Sequence, residues 1–275
     1  MKLQQILSLL SLFSISILFC QAKLPSGTLL PVAPGQTHRI VDLTHDFSKE
    51  TVYWVTAREF ELDTVFAGDT DKGYYYTANN FASAEHGGTH IDAPIHFSKG
   101  KQSVDEIPLE RLIGPAVVID VASRALEDRD YLISIDDLQA WEERSNSTIP
   151  EGSIVLLRTG YSQFYPDRLK YMGTDQRGQQ AVKLLHFPGL APEAAKWLVA
   201  NRKINAIGID TPSIDYGQSE YFESHVTLMS ADIPAFENLT NLEELPREGF
   251  LVVALPMKIK GGSGAPLRII ALMQE

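Results

Sequence analysis

Short apolar segments alternate with amphipathic ones along most of this 275-residue chain. Six of the apolar segments are short and rich in β-branched residues, which is typical of buried strands. We therefore predict strands over residues 39–43, 116–121, 153–158, 206–210, 250–255 and 267–273.

Two amphipathic segments carry the signals that begin a helix. Ser134 is placed as an N-cap, with Asp136 and Asp137 in the first turn, and predicts a helix to about residue 144. Pro192 suits a first-turn position and predicts a second helix to about residue 201. Because strands and helices are interleaved, the fold class is α/β or mixed α+β.

The first 22 residues differ from the rest and predict a signal peptide. A basic start, Met1-Lys2, precedes an apolar run over residues 7–19, and Cys20-Gln21-Ala22 ends in a small residue suited to cleavage. The run is short for a transmembrane helix, although a signal anchor and a lipoprotein at Cys20 are the alternatives. Cleavage after Ala22 would leave a secreted chain without cysteine, which excludes disulfides and a cysteine nucleophile.

Residues 23–275 contain no internal repeat, low-complexity tract or long linker, so we predict a single domain. The net charge of −11 argues against nucleic acid and anionic membranes as partners. A small molecule is the expected partner, and no stable membrane association is expected. Two sequons, beginning at Asn146 and Asn238, predict a glycoprotein if the host glycosylates secreted proteins.

The segment HGGTHIDAPIHF, residues 86–97, concentrates potential metal ligands. Imidazole and carboxylate groups are the donors that Zn²⁺ and Mn²⁺ prefer. A structural polar cluster is the alternative, but four donors in such a short segment favour a metal site. The four donors are His86, His90, Asp92 and His96.

The spacing of these donors predicts their geometry. All four positions are even-numbered, so in an extended backbone the side chains would point to one face. A helix could also bring His86 beside His90, but Gly87, Gly88 and Pro94 disfavour a helix here. We therefore expect a glycine-kinked extended segment that presents its ligands to a pocket.

Residues 86–97 resemble the signature of the cyclase-like metal hydrolases, a family that includes kynurenine formamidases and isatin hydrolases. Four further segments resemble other parts of that family, so the similarity spans about residues 38–273. The resemblance implies a swivelling β/β/α fold with mixed sheets packed against helices. These segments are residues 40–45, 186–190, 208–213 and 224–239.

The resemblance also implies a metal site. By similarity, His86, His90 and Asp92 are ligands, and His225 with Glu237 completes a two-metal site in which Asp92 bridges the ions. Two Zn²⁺ ions are favoured, and Mn²⁺ is also compatible with these ligands. A one-metal site, as in the isatin hydrolases, is the alternative.

By the same resemblance, His96 is the catalytic acid/base, and a fourth ligand is its alternative role. The implied reaction is metal-dependent hydrolysis of the C–N bond in a small aryl formamide, such as N-formylkynurenine, or in a cyclic amide, such as an isatin-type lactam. A cyclase or dehydratase on the same site and a non-catalytic metal-binding module are the other interpretations.

The substrate-binding segment departs from the family pattern. The family has a Trp-Pro-Gly-Asp type segment where this chain has Tyr53-Trp54-Val55-Thr56. Tyr53 and Trp54 are candidates to stack on an aromatic substrate, and simple core packing is the alternative. The resemblance also implies a homodimer.

Overall fold

The structure is a computed structural model that describes residues 38–274. The predicted signal peptide therefore lies outside the described residues. The strands within this range are β1 (His38–Asp42), β2 (Glu61–Asp69), β3 (Tyr75–Ala82), β4 (His90–Asp92), β5 (Ile113–Asp120), β6 (Leu132–Ile133), β7 (Ile154–Arg158), β8 (Gly189–Leu190), β9 (Ala206–Ile209), β10 (Ala235–Glu237), β11 (Phe250–Pro256) and β12 (Gly264–Gln274).

Helices connect most of these strands. The α-helices are α1 (Leu109–Leu112), α2 (Ala122–Glu127), α3 (Ile135–Ser145), α4 (Arg168–Met172), α5 (Pro192–Asn201) and α6 (Glu223–Ser230). Short 3-10 turns occupy Pro94–His96, Tyr161–Phe164, Gln179–Leu184 and Leu242–Glu244. No helix within residues 38–274 combines the length and the apolar character needed to cross a bilayer.

The local sequence signals of the predicted elements are confirmed. All six predicted strands form, and both predicted helices begin where expected. The Ser134 hydroxyl accepts a hydrogen bond from the Asp137 amide, and the Asp137 carboxylate accepts one from the Ser134 amide, so the start of α3 is a capping box. Pro192 occupies the first turn of α5, where its missing amide hydrogen costs nothing.

Eight strands form one mixed sheet in the order β1-β12-β11-β5-β7-β9-β10-β4, and a further pairing of β4 with β12 closes the sheet on itself. Strands β5, β7, β9 and β10 run parallel, whereas the β11, β12, β1 and β4 ladders are antiparallel. The mixed α/β single-domain fold predicted from the sequence is confirmed by this architecture and by the solved structures described below.

The sheet separates two apolar cores. Along β5, Ala116 and Val118 face one core while Val117 and Ile119 face the other, as the alternation of side chains in a strand requires. Buried residues of α3, α5 and α6 fill the second core, which explains why these helices are amphipathic.

The hairpin of β2 and β3 was not predicted from the sequence. It forms a separate two-stranded sheet, and its apolar side chains are largely exposed on both strands. A strand is recognised in a sequence mainly by an alternation of apolar and polar residues, which arises when one face is buried. Neither face of this hairpin is buried by the described residues, so that alternation is missing.

The pairing of β4 with its neighbours positions the candidate site. In the antiparallel β4–β10 ladder, His90 lies opposite Glu237 and Asp92 lies opposite Ala235. Strand β12 pairs with the other side of β4, so that short strand is held in the middle of the sheet. His225, on helix α6, reaches Asp92 at this end of the sheet.

Gly88 is required by the turn that precedes β4. Its φ of +57° is left-handed, and an added Cβ would lie 2.8 Å from Thr51 Cγ2 and 2.9 Å from the Phe47 ring. Gly100 has a φ of +80° and open space around it. Its replacement by alanine would therefore strain the backbone in the same way, but the added Cβ would not collide with any described neighbour. We expect Gly88→Ala to lower the free energy of unfolding by about 1–3 kcal/mol more than Gly100→Ala does, as measured by chemical denaturation. Equal losses in the two variants would contradict this packing argument.

Candidate active site

The donor segment has the predicted glycine kink, but it is not extended along the rest of its length, so the expected alternation of its four donors is only partly present. Only His90–Asp92 is a strand. Gly87 and Gly88, both at positive φ, turn the chain before β4, and Pro94–His96 forms a 3-10 turn after it. His86 and His96 therefore reach the cavity through turns and not through strand alternation.

Two carboxylates and two imidazoles form a buried cluster at the end of β4. His90 Nε2 lies 3.1 Å from Asp92 Oδ1 and 3.4 Å from Glu237 Oε2. His225 Nε2 lies 2.9 Å from Asp92 Oδ2 and 3.1 Å from Glu237 Oε1. All four side chains are almost fully buried, so their polar atoms interact with one another in place of water.

A second group of donors shares Asp92 with this cluster. His86 Nδ1 lies 2.6 Å from Asp92 Oδ1. The His96 ring stacks on the His86 ring, with centroids 3.8 Å apart. Ligand atoms of His86, Asp92 and His96 lie within 4.8 Å of one another, as do those of His90, Asp92 and Glu237. Asp92 thus belongs to both groups, which is the arrangement a bridging carboxylate would need.

The buried cluster has dimensions that suit a divalent metal ion. Zn–N and Zn–O bonds of about 2.0–2.2 Å in a tetrahedron place neighbouring ligand atoms about 3.3–3.6 Å apart. The nitrogen–oxygen separations of 2.9–3.4 Å among His90, His225, Asp92 and Glu237 are close to that range. Two buried carboxylates this close also require positive charge between them, so these residues fit a metal ion.

The pKa values of the site residues reflect both their burial and the charges of their neighbours. Burial alone would raise the pKa of Asp92, but the neighbouring histidines hold it well below its usual range. Burial and the Asp92 charge raise the pKa of Glu237. Burial lowers the pKa of His96 to about 4, against a weaker opposing effect of Asp92. His96 is therefore neutral near pH 7 and has a nitrogen free to accept a proton.

These donors open onto a cavity of about 310 Å³. Tyr53 and Trp54 both line it, as does every donor predicted from the sequence. Phe97 and Phe222 complete an aromatic wall, and sequence analysis missed both of them. None of the described residues that line the cavity is a lysine or an arginine.

The chain matches the family model "Putative cyclase" over residues 41–216. It belongs to the cyclase family. The isatin hydrolase of Roseibium aggregatum is 31% identical over 258 residues, which cover 91% of this chain and 90% of that relative. The kynurenine formamidase of Salinibacter ruber is 28% identical, over 84% of this chain and 96% of that relative.

A solved structure of isatin hydrolase A from Labrenzia aggregata, bound to benzyl benzoate, superposes with a TM-score of 0.78 at 34% identity. The match covers 86% of this chain and 94% of that one. The predicted family is therefore confirmed, and this cyclase-family chain is a metal-dependent amide hydrolase.

Asp215 is a functional candidate that the sequence did not single out. Its Oδ2 lies 2.6 Å from His225 Nδ1 and also accepts the His225 backbone amide. A carboxylate in this position holds the ring so that Nε2 faces the cluster. The one sequence signal is its place just after the family-like segment 208–213.

Ser263 plays a similar part behind His86, although it lies far away in sequence. Its hydroxyl is 2.8 Å from His86 Nε2 and donates to Glu85 Oε2 at 2.7 Å. With Nε2 engaged in this way, Nδ1 of His86 is the nitrogen turned toward Asp92. No short-range pattern in the sequence connects Ser263 with the segment around His86.

Asn238 fixes the remaining histidine through the Gly88 carbonyl. That carbonyl lies 2.9 Å from His90 Nδ1 and accepts from the Asn238 amide nitrogen at 2.8 Å. The Tyr171 hydroxyl donates to the Asn238 side-chain oxygen at 3.0 Å. Both atoms of the amide are thus engaged, and the residue is only 2% exposed. The sequon at Asn238 is inaccessible in the folded chain, whereas Asn146 is exposed at the end of α3.

His45 and His186 lie outside the set of residues that line the cavity. His45 stacks on Tyr165, with ring centroids 3.7 Å apart, and burial lowers the pKa of His45 to about 4. His186 Nδ1 lies 2.8 Å from Asp130 Oδ2 near the surface. Both histidines therefore make packing or surface contacts away from the donor cluster.

Proposed function

We propose that this protein hydrolyses the C–N bond of a small, uncharged aromatic amide, with an isatin-type lactam as its preferred substrate class. The observation that carries the proposal is the cavity wall, in which Tyr53, Trp54, Phe97 and Phe222 face the donor cluster without any lysine or arginine among the described lining residues. Aromatic walls suit a flat ring. An amino-acid carboxylate buried against that wall would have no lysine or arginine partner among the described lining residues.

We propose that two metal ions are held by His86, His90, Asp92, His225 and Glu237, with Zn²⁺ favoured and Mn²⁺ compatible. A metal ion bound there supplies Lewis acidity, which polarises an amide carbonyl and acidifies water. The chain itself supplies the shared carboxylate of Asp92 and the fixed rings of His90 and His225. Asp215 and the Gly88 carbonyl hold those two rings in place.

His96 is proposed to move the proton. Its ring lies against His86 at the mouth of the cluster, and its lowered pKa leaves it neutral at neutral pH. It can accept a proton from the attacking water and return it to the departing nitrogen. The carbonyl carbon gains a C–O bond as its C–N bond breaks, so a lactam opens to one molecule that carries both a carboxylic acid and an amine, whereas an open-chain amide gives them as two products.

The substrate proposal is tested with matched compounds on metal-loaded protein. Isatin tests the lactam class directly, and N-(2-acetylphenyl)formamide differs from N-formylkynurenine only by lacking the amino-acid group. We expect kcat/KM to be highest for isatin and at least about tenfold higher for the truncated formamide than for N-formylkynurenine, because an unpaired buried charge costs more than about 1.4 kcal/mol. A preference for N-formylkynurenine would overturn the proposal.

Secretion is proposed from the basic start and apolar run of the N-terminal segment. The mature chain is expected to begin at Lys23, after cleavage behind Ala22. Intact mass and N-terminal sequencing of protein from the native host test this expectation. Retention of residues 1–22 in the exported protein would favour a signal anchor instead.

We propose a homodimer that covers the β2–β3 hairpin. A lone two-stranded hairpin is marginal in water, yet this one exposes a group of large apolar side chains, and β3 ends two residues before Ala84, which lines the cavity. A second copy is the occupant that brings an equal apolar hairpin. The exposed side chains are Leu62, Val65, Phe66, Tyr75, Tyr76 and Phe81.

Light scattering after size exclusion tests the dimer. The wild-type protein is expected to be a dimer, and the double variant Val65→Glu with Tyr76→Glu is expected to be a monomer, because two charges would be buried in the interface. Ile40→Glu is the control, since Ile40 is equally exposed but lies on β1. A monomeric wild type, or a dimeric double variant, would contradict the proposal that the β2–β3 hairpin forms the dimer interface.

A further inference from the structure

A second groove lies at the carboxyl ends of β5 and β7 and shares no lining residue with the catalytic cavity. Its volume is about 760 Å³. Four arginines and two carboxylates line it, so it is basic in a chain whose net charge is −11. These charged residues are Arg124, Arg144, Arg158, Arg247, Asp120 and Glu243.

Part of the positive charge in this groove is already paired. Arg158 Nη1 donates to Asp120 Oδ2 at 2.6 Å, and Arg124 pairs with Asp137, which caps α3. Arg144 and Arg247 differ, because neither pairs with a carboxylate in the described part of the chain. Arg247 Nη1 instead donates to the Arg144 backbone carbonyl at 2.9 Å, so neither guanidinium group has a carboxylate partner in that part of the chain.

Two shielded donors in the groove also lack an acceptor. Trp141 is only 1% exposed, and its Nε1 has no hydrogen-bond partner among residues 38–274. Nε of Arg158 is likewise shielded and without a partner in that range. Both groups can only donate a hydrogen bond, and a buried donor without an acceptor is costly. An oxygen-rich anion is the kind of acceptor that these donors lack, and it would balance the charge of Arg144 and Arg247.

We propose that this groove binds a phosphate-type oxyanion carrying about two negative charges. The planar guanidinium groups of Arg144 and Arg247 can each present paired N–H donors to such an anion. The indole N–H of Trp141 adds a donor without charge.

The test titrates the ¹⁵N-labelled mature, metal-loaded protein with sodium phosphate at constant ionic strength and follows the three indole N–H signals. The Trp141 signal is expected to shift and saturate, whereas the Trp197 signal, from the surface of α5, stays fixed. Trp54 lines the catalytic cavity, so a shift of its signal alone would mean that phosphate binds at the metal cluster. That result, or a Trp141 shift that sodium chloride reproduces, would overturn the proposal.

Two matched double variants complete the test. Arg144→Gln with Arg247→Gln is expected to weaken phosphate binding by about tenfold or more, since a hydrogen bond to a charged group is lost at each position. Arg58→Gln with Arg268→Gln removes the same charge from surface ion pairs with Glu61 and Asp42 and is expected to leave the affinity unchanged. Equal weakening in both variants would show only a net-charge effect and would overturn the proposal.

Discussion

Replacing Asp92 with alanine is expected to remove the bound metal and to lower kcat/KM by at least about a thousandfold. Asp92 is the one residue that belongs to both donor groups, and it lies within 3.1 Å of nitrogens from His86, His90 and His225. Its loss would leave each group without its shared carboxylate. Elemental analysis of the purified variant, together with isatin hydrolysis, measures both effects.

The control for this variant is Asp137→Ala, which removes an equally buried carboxylate from the capping box of α3. That change is expected to lower stability by about 1–3 kcal/mol, because it leaves donors of Ser134 and Tyr131 without their acceptor, and to leave the metal content unchanged. Full metal retention in Asp92→Ala would be incompatible with the bridging role proposed for this carboxylate.

Replacing His96 with alanine is expected to lower turnover by about 10²–10⁴-fold, the usual contribution of a positioned acid/base group. The metal content should stay at the wild-type level, because all five proposed ligands, His86, His90, Asp92, His225 and Glu237, are retained in this variant. This split between turnover and metal content distinguishes a proton-transfer role from that of a fourth ligand. His186→Ala, which removes a histidine outside the cavity, is expected to keep both values. A His96 variant with activity within a few-fold of wild type, or one that loses metal, would contradict the assignment.

Local chemistry made several elements predictable. The capping box at Ser134 and the proline at the start of α5 act within one helical turn, so their signals are contained in a few residues. The apolar strands β5, β7 and β9 were recognisable because both of their faces are buried.

The site was only partly predictable, because some of its residues are far apart in the sequence and meet only through tertiary packing. His86, His90 and Asp92 lie close in sequence, but His225 joins Asp92 across 133 residues through packing of α6 on the sheet. Only the family resemblance pointed to His225 and Glu237. The bend before β4 brings Gly87 close to Tyr53 and Gly88 close to Phe47, contacts that no alternation pattern contains.

The aromatic wall shows the same limit. Phe222 meets Trp54 and Phe97 at ring-centroid distances of 6.2 and 5.3 Å, although these residues come from three distant segments. An aromatic residue in a loop has no sequence signal that distinguishes a cavity wall from ordinary core.

The position of β12 in the sheet has a consequence for the order of folding. This last strand of the described chain pairs with β1, β4 and β11. Until residues 264–274 have joined the sheet, β1 therefore has no partner strand within the described chain and β4 has one unpaired edge. Such non-local pairing slows folding and leaves strand edges open to aggregation. The donors on β4 are thus expected to reach their final arrangement late, after the parallel strands β5, β7, β9 and β10 have paired.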